Sequence, residues 1–345
     1  MISTTALMAQ QPGDALAPTR IERRDLRPDD VAVRVTHCGV CFTDLHALDA
    51  TDPGAFPVVP GHEFTGEVLE VGSEVTRVAV GDRVAVGNIV DSCGQCPRCL
   101  DDEQAWCTQF PTLTYGGVDR HDGQRTLGGY SGAYVVRDEF VYRLPDGLDP
   151  AAAAPLMCAG VTMWGPLRSE QVGPGSRVGV VGIGGLGHLG VRLARAMGAE
   201  VTAITSSIAK ADDALRLGAS RVVVSQDDDA MRAAAGSLDV VLDTIGFEHD
   251  LEPYVGLLAD RGVLYPVGFL GTLSIASMAL LIGHKRLSSA GGGGRGSTVR
   301  MLEFCAEHGI TADVEVLSAS RAHEAIERLR AGDVRYRFVL AMQEA

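Results

Sequence analysis

Four cysteines constrain this chain more than any other feature. Cys93, Cys96, Cys99 and Cys107 follow the spacing C-x2-C-x2-C-x7-C inside Asp91-Ser92-Cys93-Gly94-Gln95-Cys96-Pro97-Arg98-Cys99. Four thiolates from one short lobe can close a tetrahedron around zinc and leave no open position, which makes a structural site. An iron–sulfur cluster or free thiols are the competing readings. A lobe tied this way folds only with its metal. Four more cysteines, Cys38, Cys41, Cys158 and Cys305, bring the count to 8. In a chain of this size they suggest metal ligands or free thiols before disulfides. The first thirty residues hold Gln10, Asp14 and Arg20 and no continuous apolar run, so no signal peptide is visible. The longest apolar stretch, near Ile275 to Ile282, is too short to span a bilayer. A soluble, cytoplasmic protein is expected, with no membrane partner. The formal charge of -14 argues against a nucleic-acid partner, because phosphate binding needs a basic patch.

A length of 345 residues suits two domains with separate cores. From Val31 to Leu144 the chain shows β alternation broken by glycine, as in Val31, Val33, Val35 and in Gly66–Gly72. That texture predicts a compact antiparallel region. From Ala152 to Gly283 strand-like runs alternate with helical ones: Arg177–Val181, His188–Met197, Val201–Ile204, Ala209–Leu217, Arg221–Val224, Leu238–Leu242, Leu251–Leu258 and Val263–Val267. Such alternation implies βαβ units and a parallel sheet. A glycine run, Gly291 to Gly294, reads as a hinge or loop between domains. A helix over Val299–His308 and a strand over Arg335–Leu340 follow.

A glycine pattern sits at the first strand of the second texture, in Val178-Gly179-Val180-Val181-Gly182-Ile183-Gly184-Gly185-Leu186-Gly187-His188. Alone, G-x-G-x-x-G is weak. Here Gly182, Gly184 and Gly187 follow a strand-like run and open a helical one, as a dinucleotide fingerprint requires. The backbone can then approach a pyrophosphate at a helix N-terminus. A tight βα turn without a ligand is the plainer alternative. The second strand ends in Ile204-Thr205-Ser206-Ser207-Ile208-Ala209-Lys210. An NAD site usually carries Asp or Glu there for the ribose 2′-hydroxyl. None is present, and hydroxyls with a lysine can accept a 2′-phosphate by charge-assisted hydrogen bonds. NADP(H) is therefore the expected cofactor, with Thr205, Ser206, Ser207 and Lys210 as its selectors. Lys210 as a solvated helix-start residue is the other reading.

Cys41, His62, Glu63 and Cys158 could form an open metal site. Singly, each has a bland explanation: Cys158 lies in an apolar segment, and His62 could be a hydrogen-bonded histidine of the core or surface. Three protein ligands plus water would leave the free position a Lewis-acid catalyst needs.

Here a resemblance adds to the residues. Gly61-His62-Glu63-x2-Gly66-x5-Gly72-x2-Val75 resembles the zinc signature of medium-chain zinc alcohol dehydrogenases. The four-cysteine lobe, the segment Cys41-Phe42-Thr43-Asp44-Leu45-His46 and the segment Pro155–Thr162 fall in the same order. The ending Asp333-Val334-Arg335-Tyr336-Arg337-Phe338-Val339 is similar to the cinnamyl alcohol dehydrogenase-like branch. The likeness covers nearly the whole chain.

The resemblance implies a GroES-like catalytic domain over residues 1–151 and 288–345, and a Rossmann doubly wound parallel-sheet domain over 152–287. It implies two zinc ions per chain. One is structural, on Cys93, Cys96, Cys99 and Cys107. The other is catalytic, on Cys41, His62 and Cys158, with Glu63 as an alternate ligand. Asp44 would fix a ligand imidazole. Thr43 would pass a proton to the substrate oxygen, and His46 would be the outer end of that relay. Thr162, Gly182, Gly184, Gly185, Leu186, Gly187, Thr244, Val267 and Gly268 would join the four selectors at the cofactor. The expected reaction is reversible hydride transfer between NADPH and an aldehyde bound at zinc. A homodimer through Val263–Val267 and Ser274–Ile282 is also implied. Reduction of an iminium or a conjugated double bond is the rival chemistry, and a non-catalytic zinc- and nucleotide-binding protein the rival class. Three features depart from relatives. Phe42 replaces a polar or cationic phosphate contact. Leu113 stands where Trp is frequent, and Gly291 and Gly292 stand where bulky residues are frequent, which predicts a wide substrate pocket.

Overall fold

The computed structural model describes residues 1–268 and 271–342. The chain forms two compact units, Met1–Cys158 with Gly292–Ala345, and Ala159–Gly291. The first crossover therefore falls later than the expected 151/152. The segment before it is stitched to the first unit: Thr65 Oγ1 donates to Pro150 O (2.9 Å), and Ala312 N donates to Ala152 O (3.1 Å).

A seven-stranded sheet dominates the first unit. Its order is Val314–Ser318, Arg337–Ala341, Asp30–Val40, Phe64–Val71, Arg83–Val86 and Tyr142–Arg143, with Ala133–Arg137 also paired to Asp30–Val40. All pairings are antiparallel except the first. Val31, Val33, Val35, Phe64, Val84, Val86, Tyr134 and Phe338 fill its core. Register places the functional residues. Cys38 faces Phe64, and Val40 faces Phe338. The residues just outside those pairs, Cys41, His62, Glu63 and Arg337, thus gather at one end of three neighbouring strands.

The second unit is a six-stranded parallel sheet in the order Arg221–Val224, Glu200–Thr205, Arg177–Val181, Leu238–Asp243, Leu258–Pro266 and Arg286–Leu287. Numbered along the chain this is 3-2-1-4-5-6, the doubly wound order, whose ligand crevice opens where the order reverses. Gly182 follows the first strand of that switch point and Thr244 the second. The helix Gly187–Ala196 starts at the third fingerprint glycine.

Two short helices go beyond the sequence pattern. The helix Asp228–Ala233, capped by Asp227 accepting from Asp229 N and Ala230 N, is too short to show a period in sequence. The segment Ser274–Ile282, expected as a dimer contact, holds a short helix, Ser277–Leu281. No helix among the described residues is long and apolar enough to cross a membrane.

Candidate active site and metal centres

The four-cysteine lobe closes as its spacing predicts. Cys93 Sγ lies 3.8 Å and Cys96 Sγ 3.5 Å from Cys99 Sγ. A zinc tetrahedron with bonds of about 2.3 Å has edges of about 3.8 Å. All four sulfurs lie within 4.8 Å of one another. The left-handed backbone at Gly94 (φ +68°) turns the chain so that Cys96 N donates back to Cys93 Sγ (3.3 Å). N–H groups of Thr108 and Cys99 hold the Cys96 thiol down at about 5, while burial pushes Cys99 up to about 12. A bound cation offsets the repulsion among four neighbouring thiolates. The lobe also caps the helix Arg295–His308: Gly296 N donates to Asp102 Oδ2 (2.8 Å) and Arg295 N to Gln104 Oε1 (3.1 Å). A Cβ at Gly294 would fall 1.5 Å from Asp102 O, so this glycine is fixed by a close approach.

The second cluster joins Cys41, His62, Glu63 and Cys158, whose ligand atoms also lie within 4.8 Å of one another. Cys41 Sγ is 3.9 Å from Cys158 Sγ, and His62 Nε2 is 3.3 Å from Cys158 Sγ. Asp44 organises them. Its Oδ2 accepts from Cys41 N (2.9 Å) and from Tyr130 OH (3.3 Å). Its Oδ1 accepts from Gly61 N (3.0 Å) and lies 3.2 Å from His62 Nδ1. That bond leaves the Nε2 lone pair aimed at the sulfurs, the tautomer a metal requires. Hydrogen bonding between the two thiols lowers Cys41 and raises Cys158, helped there by burial. Glu63 Oε2 is paired with Arg337 Nη2, and Glu63 Oε1 is buried with no hydrogen-bond partner among the described residues. Burial pushes the Glu63 carboxyl up to about 7 against the pull of Arg337. An orphan buried oxygen costs free energy, and beside two thiols and an imidazole it fits a cation. Gly39 makes room for it, since a Cβ there would lie 2.1 Å from Glu63 Oε1.

The helix Phe42–Leu48 begins at Cys41 and exposes Phe42, Thr43 and His46. Thr43 Oγ1 lies 3.7 Å from Cys41 Sγ. His46 is three residues on, one helical turn along the same face.

In the second unit, Gly182 is left-handed (φ +84°), and a Cβ at Gly187 would fall 1.8 Å from Gly182 O. Nothing lies within 4 Å of a Cβ built on Gly184. The turn is thus tight where it packs and open where a pyrophosphate would approach, with Gly185 and Leu186 half-buried between. Thr244 Oγ1 donates to Val181 O (2.7 Å). Val267 N and Gly268 N donate to Asp243 O (2.8 and 3.1 Å), which brings them beside Thr244. Thr205 is buried, while Ser206, Ser207 and Lys210 are exposed. Ser207 Oγ accepts from Ala209 N (3.3 Å) and so caps its own turn.

Comparison with known proteins follows this geometry. Residues 27–146 match the alcohol dehydrogenase GroES-like domain, and residues 185–307 match the zinc-binding dehydrogenase family. NADP-dependent alcohol dehydrogenase C 1 of Mycolicibacterium smegmatis is 44% identical over 343 residues, 99% of this chain and 98% of that one. The chain belongs to the zinc-dependent medium-chain alcohol dehydrogenases. A Bacillus subtilis protein named "Probable formaldehyde dehydrogenase AdhA" is 46% identical to this dehydrogenase over 324 residues, 93% of each chain. The structure of a cinnamyl alcohol dehydrogenase from Sorghum bicolor superposes with a TM-score of 0.93 at 40% identity, covering 99% of this chain and 98% of that one. This dehydrogenase accordingly carries one structural four-cysteine zinc site and one catalytic zinc site.

The remaining predicted residues are scattered. Thr162 is half-buried on the helix Ala159–Ser169. Leu113 is half-buried on the short strand Thr112–Leu113, paired with Ile89. It lines a surface groove with Phe110 and Val118. Gly291 closes the second unit and Gly292 reopens the first. A Cβ at Gly165 would lie 3.4 Å from Gly291 O. Sequence reasoning missed Tyr115, whose ring lies 5.7 Å from that of His62, and Tyr130 on Asp44. It also missed Arg337 as a site residue. The run Arg335-Tyr336-Arg337 gave no sign of which arginine turns inward, and only the sheet register decides it.

Proposed function

We propose that this dehydrogenase interconverts an aldehyde and its primary alcohol with NADP(H) as cofactor, with Cys41, His62 and Cys158 holding the catalytic zinc. The carrying observation is the buried Glu63 Oε1, left without a partner among the described residues beside two thiols and the His62 Nε2. When bound, zinc supplies Lewis acidity at the substrate oxygen, and NADPH supplies the hydride. The chain's own residues do the rest. Asp44 holds His62 in one tautomer. Thr43 hands a proton to the reduced oxygen, and His46 restores it from solvent. Arg337 keeps one oxygen of Glu63 occupied and leaves the other able to approach the metal. Gly182, Gly184, Gly185, Leu186 and Gly187 cradle the pyrophosphate, with Thr162, Thr244, Val267 and Gly268 around it. Thr205, Ser206, Ser207 and Lys210 face the 2′-phosphate.

The NADP-dependent relative supports this cofactor reading, as does the strand Glu200–Thr205 ending without a carboxylate. The lack of bulk at Leu113, Gly291 and Gly292 supports tolerance of aldehydes of varied size. Met278, Leu281 and Ile282, exposed around Ser277–Leu281, support a homodimer through the second unit. The test is NADPH consumption across aldehydes of graded size, alongside an iminium and an enone. Alcohol products from aldehydes fit the reading. Turnover confined to the iminium or enone overturns it.

A further inference from the structure

The strand Leu238–Asp243 ends beside the glycine turn in a buried carboxylate. Asp243 is 1% exposed. Its Oδ1 accepts from Ile245 N (3.1 Å), and its Oδ2 lies 2.8 Å from His249 Nε2. The other ring nitrogen, His249 Nδ1, lies 2.8 Å from Phe247 O. Both nitrogens therefore face oxygens. A neutral imidazole has one N–H only. The pair satisfies both contacts only if it holds one proton more than a carboxylate and a neutral ring together. That proton sits on His249 as an imidazolium, or on Asp243 as a carboxyl donating to Nε2. Burial raises the Asp243 carboxyl, which works in the same direction.

The loop so closed runs from Thr244 to His249. Its first residue is fastened to the glycine turn through Thr244 N and Oγ1, both donating to Val181 O (2.9 and 2.7 Å). A Cβ at Gly182 would touch Thr244 Oγ1 at 2.8 Å. The other titratable groups around the ring are Tyr254 from the helix Glu252–Gly256, with centroids 5.8 Å apart, and the exposed neighbours Glu248 and Asp250. Phe247 stacks edge-on at 6.2 Å.

We propose that Asp243 and His249 form a proton-held clamp on the 244–249 loop, a positioning pair that makes NADPH affinity depend on pH. The inference rests on reading the glycine turn as the NADPH site. With the shared proton present, the loop is pinned against the turn. Once it leaves, Nδ1 and Phe247 O present lone pairs to each other, the clamp opens and the cofactor is held less well.

The test is the dissociation constant of NADPH, read by fluorescence on the zinc-loaded protein from about pH 5.5 to about 9.5, which covers the range in which side-chain imidazoles change charge. NADH serves as a second probe, because a phosphate monoester titrates near pH 6 itself. Wild type should weaken for both cofactors by about tenfold across the window, the worth of one charge-assisted hydrogen bond. His249→Gln keeps a single donor toward Asp243 and should bind more weakly at low pH with no step. A step unchanged in His249→Gln, or a flat wild-type profile with tight binding, overturns the clamp. Absence of NADPH binding at every pH overturns the cofactor reading itself. Ring-nitrogen NMR of cofactor-free wild type gives a readout independent of the variant. Nδ1 should carry a proton throughout the tight-binding range, and an unprotonated Nδ1 there contradicts the proposal.

Discussion

The two metal centres of the first unit reach similar sulfur spacings by opposite routes. The lobe from Cys93 to Cys107 takes every ligand from one stretch, and backbone N–H groups of the same stretch tune its thiols. The Cys41 centre collects His62 and Glu63 from the next strand, Cys158 from the crossover and Arg337 from near the C-terminus. The lobe has four sulfurs and no spare position, so its metal contributes folding energy. The second centre has two sulfurs, one nitrogen and an oxygen without a partner among the described residues, held by a sheet with its own strand pairing and apolar core. A closed site stabilises its own loop, whereas an open one depends on a scaffold stabilised elsewhere.

Separating the two roles gives the largest expected effect. Cys158→Ser should lower turnover by about 10³-fold or more, because the polarising metal is worth several kcal/mol at about 1.4 kcal/mol per decade. Its melting temperature should stay within a few degrees of wild type. Comparable losses of both would erase the contrast. Cys99→Ser should do the reverse. Three sulfurs cannot order the lobe, and the cap on Arg295–His308 goes with it. A drop of about 10 °C in Tm is expected, at roughly 2–4 °C per kcal/mol for a domain of this size. Recovery of soluble protein falls too, and a variant that melts like wild type shows the lobe to be dispensable.

Smaller effects sharpen the open centre. His46→Ala should slow turnover by about 10²-fold, the low end for a proton-transfer group, since the exposed ring can be partly replaced by water. An unaltered pH–rate profile removes His46 from the relay. Lys210→Ala should weaken NADPH about tenfold and leave NADH nearly unchanged. Lys210 is exposed, so the effect sits at the weak end of charge-assisted hydrogen bonds. Equal loss for both cofactors contradicts its place at the 2′-phosphate.

The same contrast explains what could be read in the sequence. The lobe was legible because its spacing is its geometry. The glycine turn was legible because Gly182 and Gly187 are fixed by φ and by close approach within a few residues. Cys41, His62 and Cys158 had bland readings one by one. Only the order of motifs across the chain joined them, since the contacts that unite them are long-range. Arg337 was invisible because strand register alone decides whether it or Arg335 meets Glu63. The helix Ser277–Leu281 was not legible, for a short apolar run carries no reliable period. His249 was unremarked, because a histidine in a loop gains meaning only from the carboxylate behind it.

The contrast between a closed and an open zinc site is tested most directly by counting zinc in the fully active protein. Elemental analysis of a preparation at maximal specific activity should give two zinc ions per chain. One zinc, or none, in fully active protein contradicts the account.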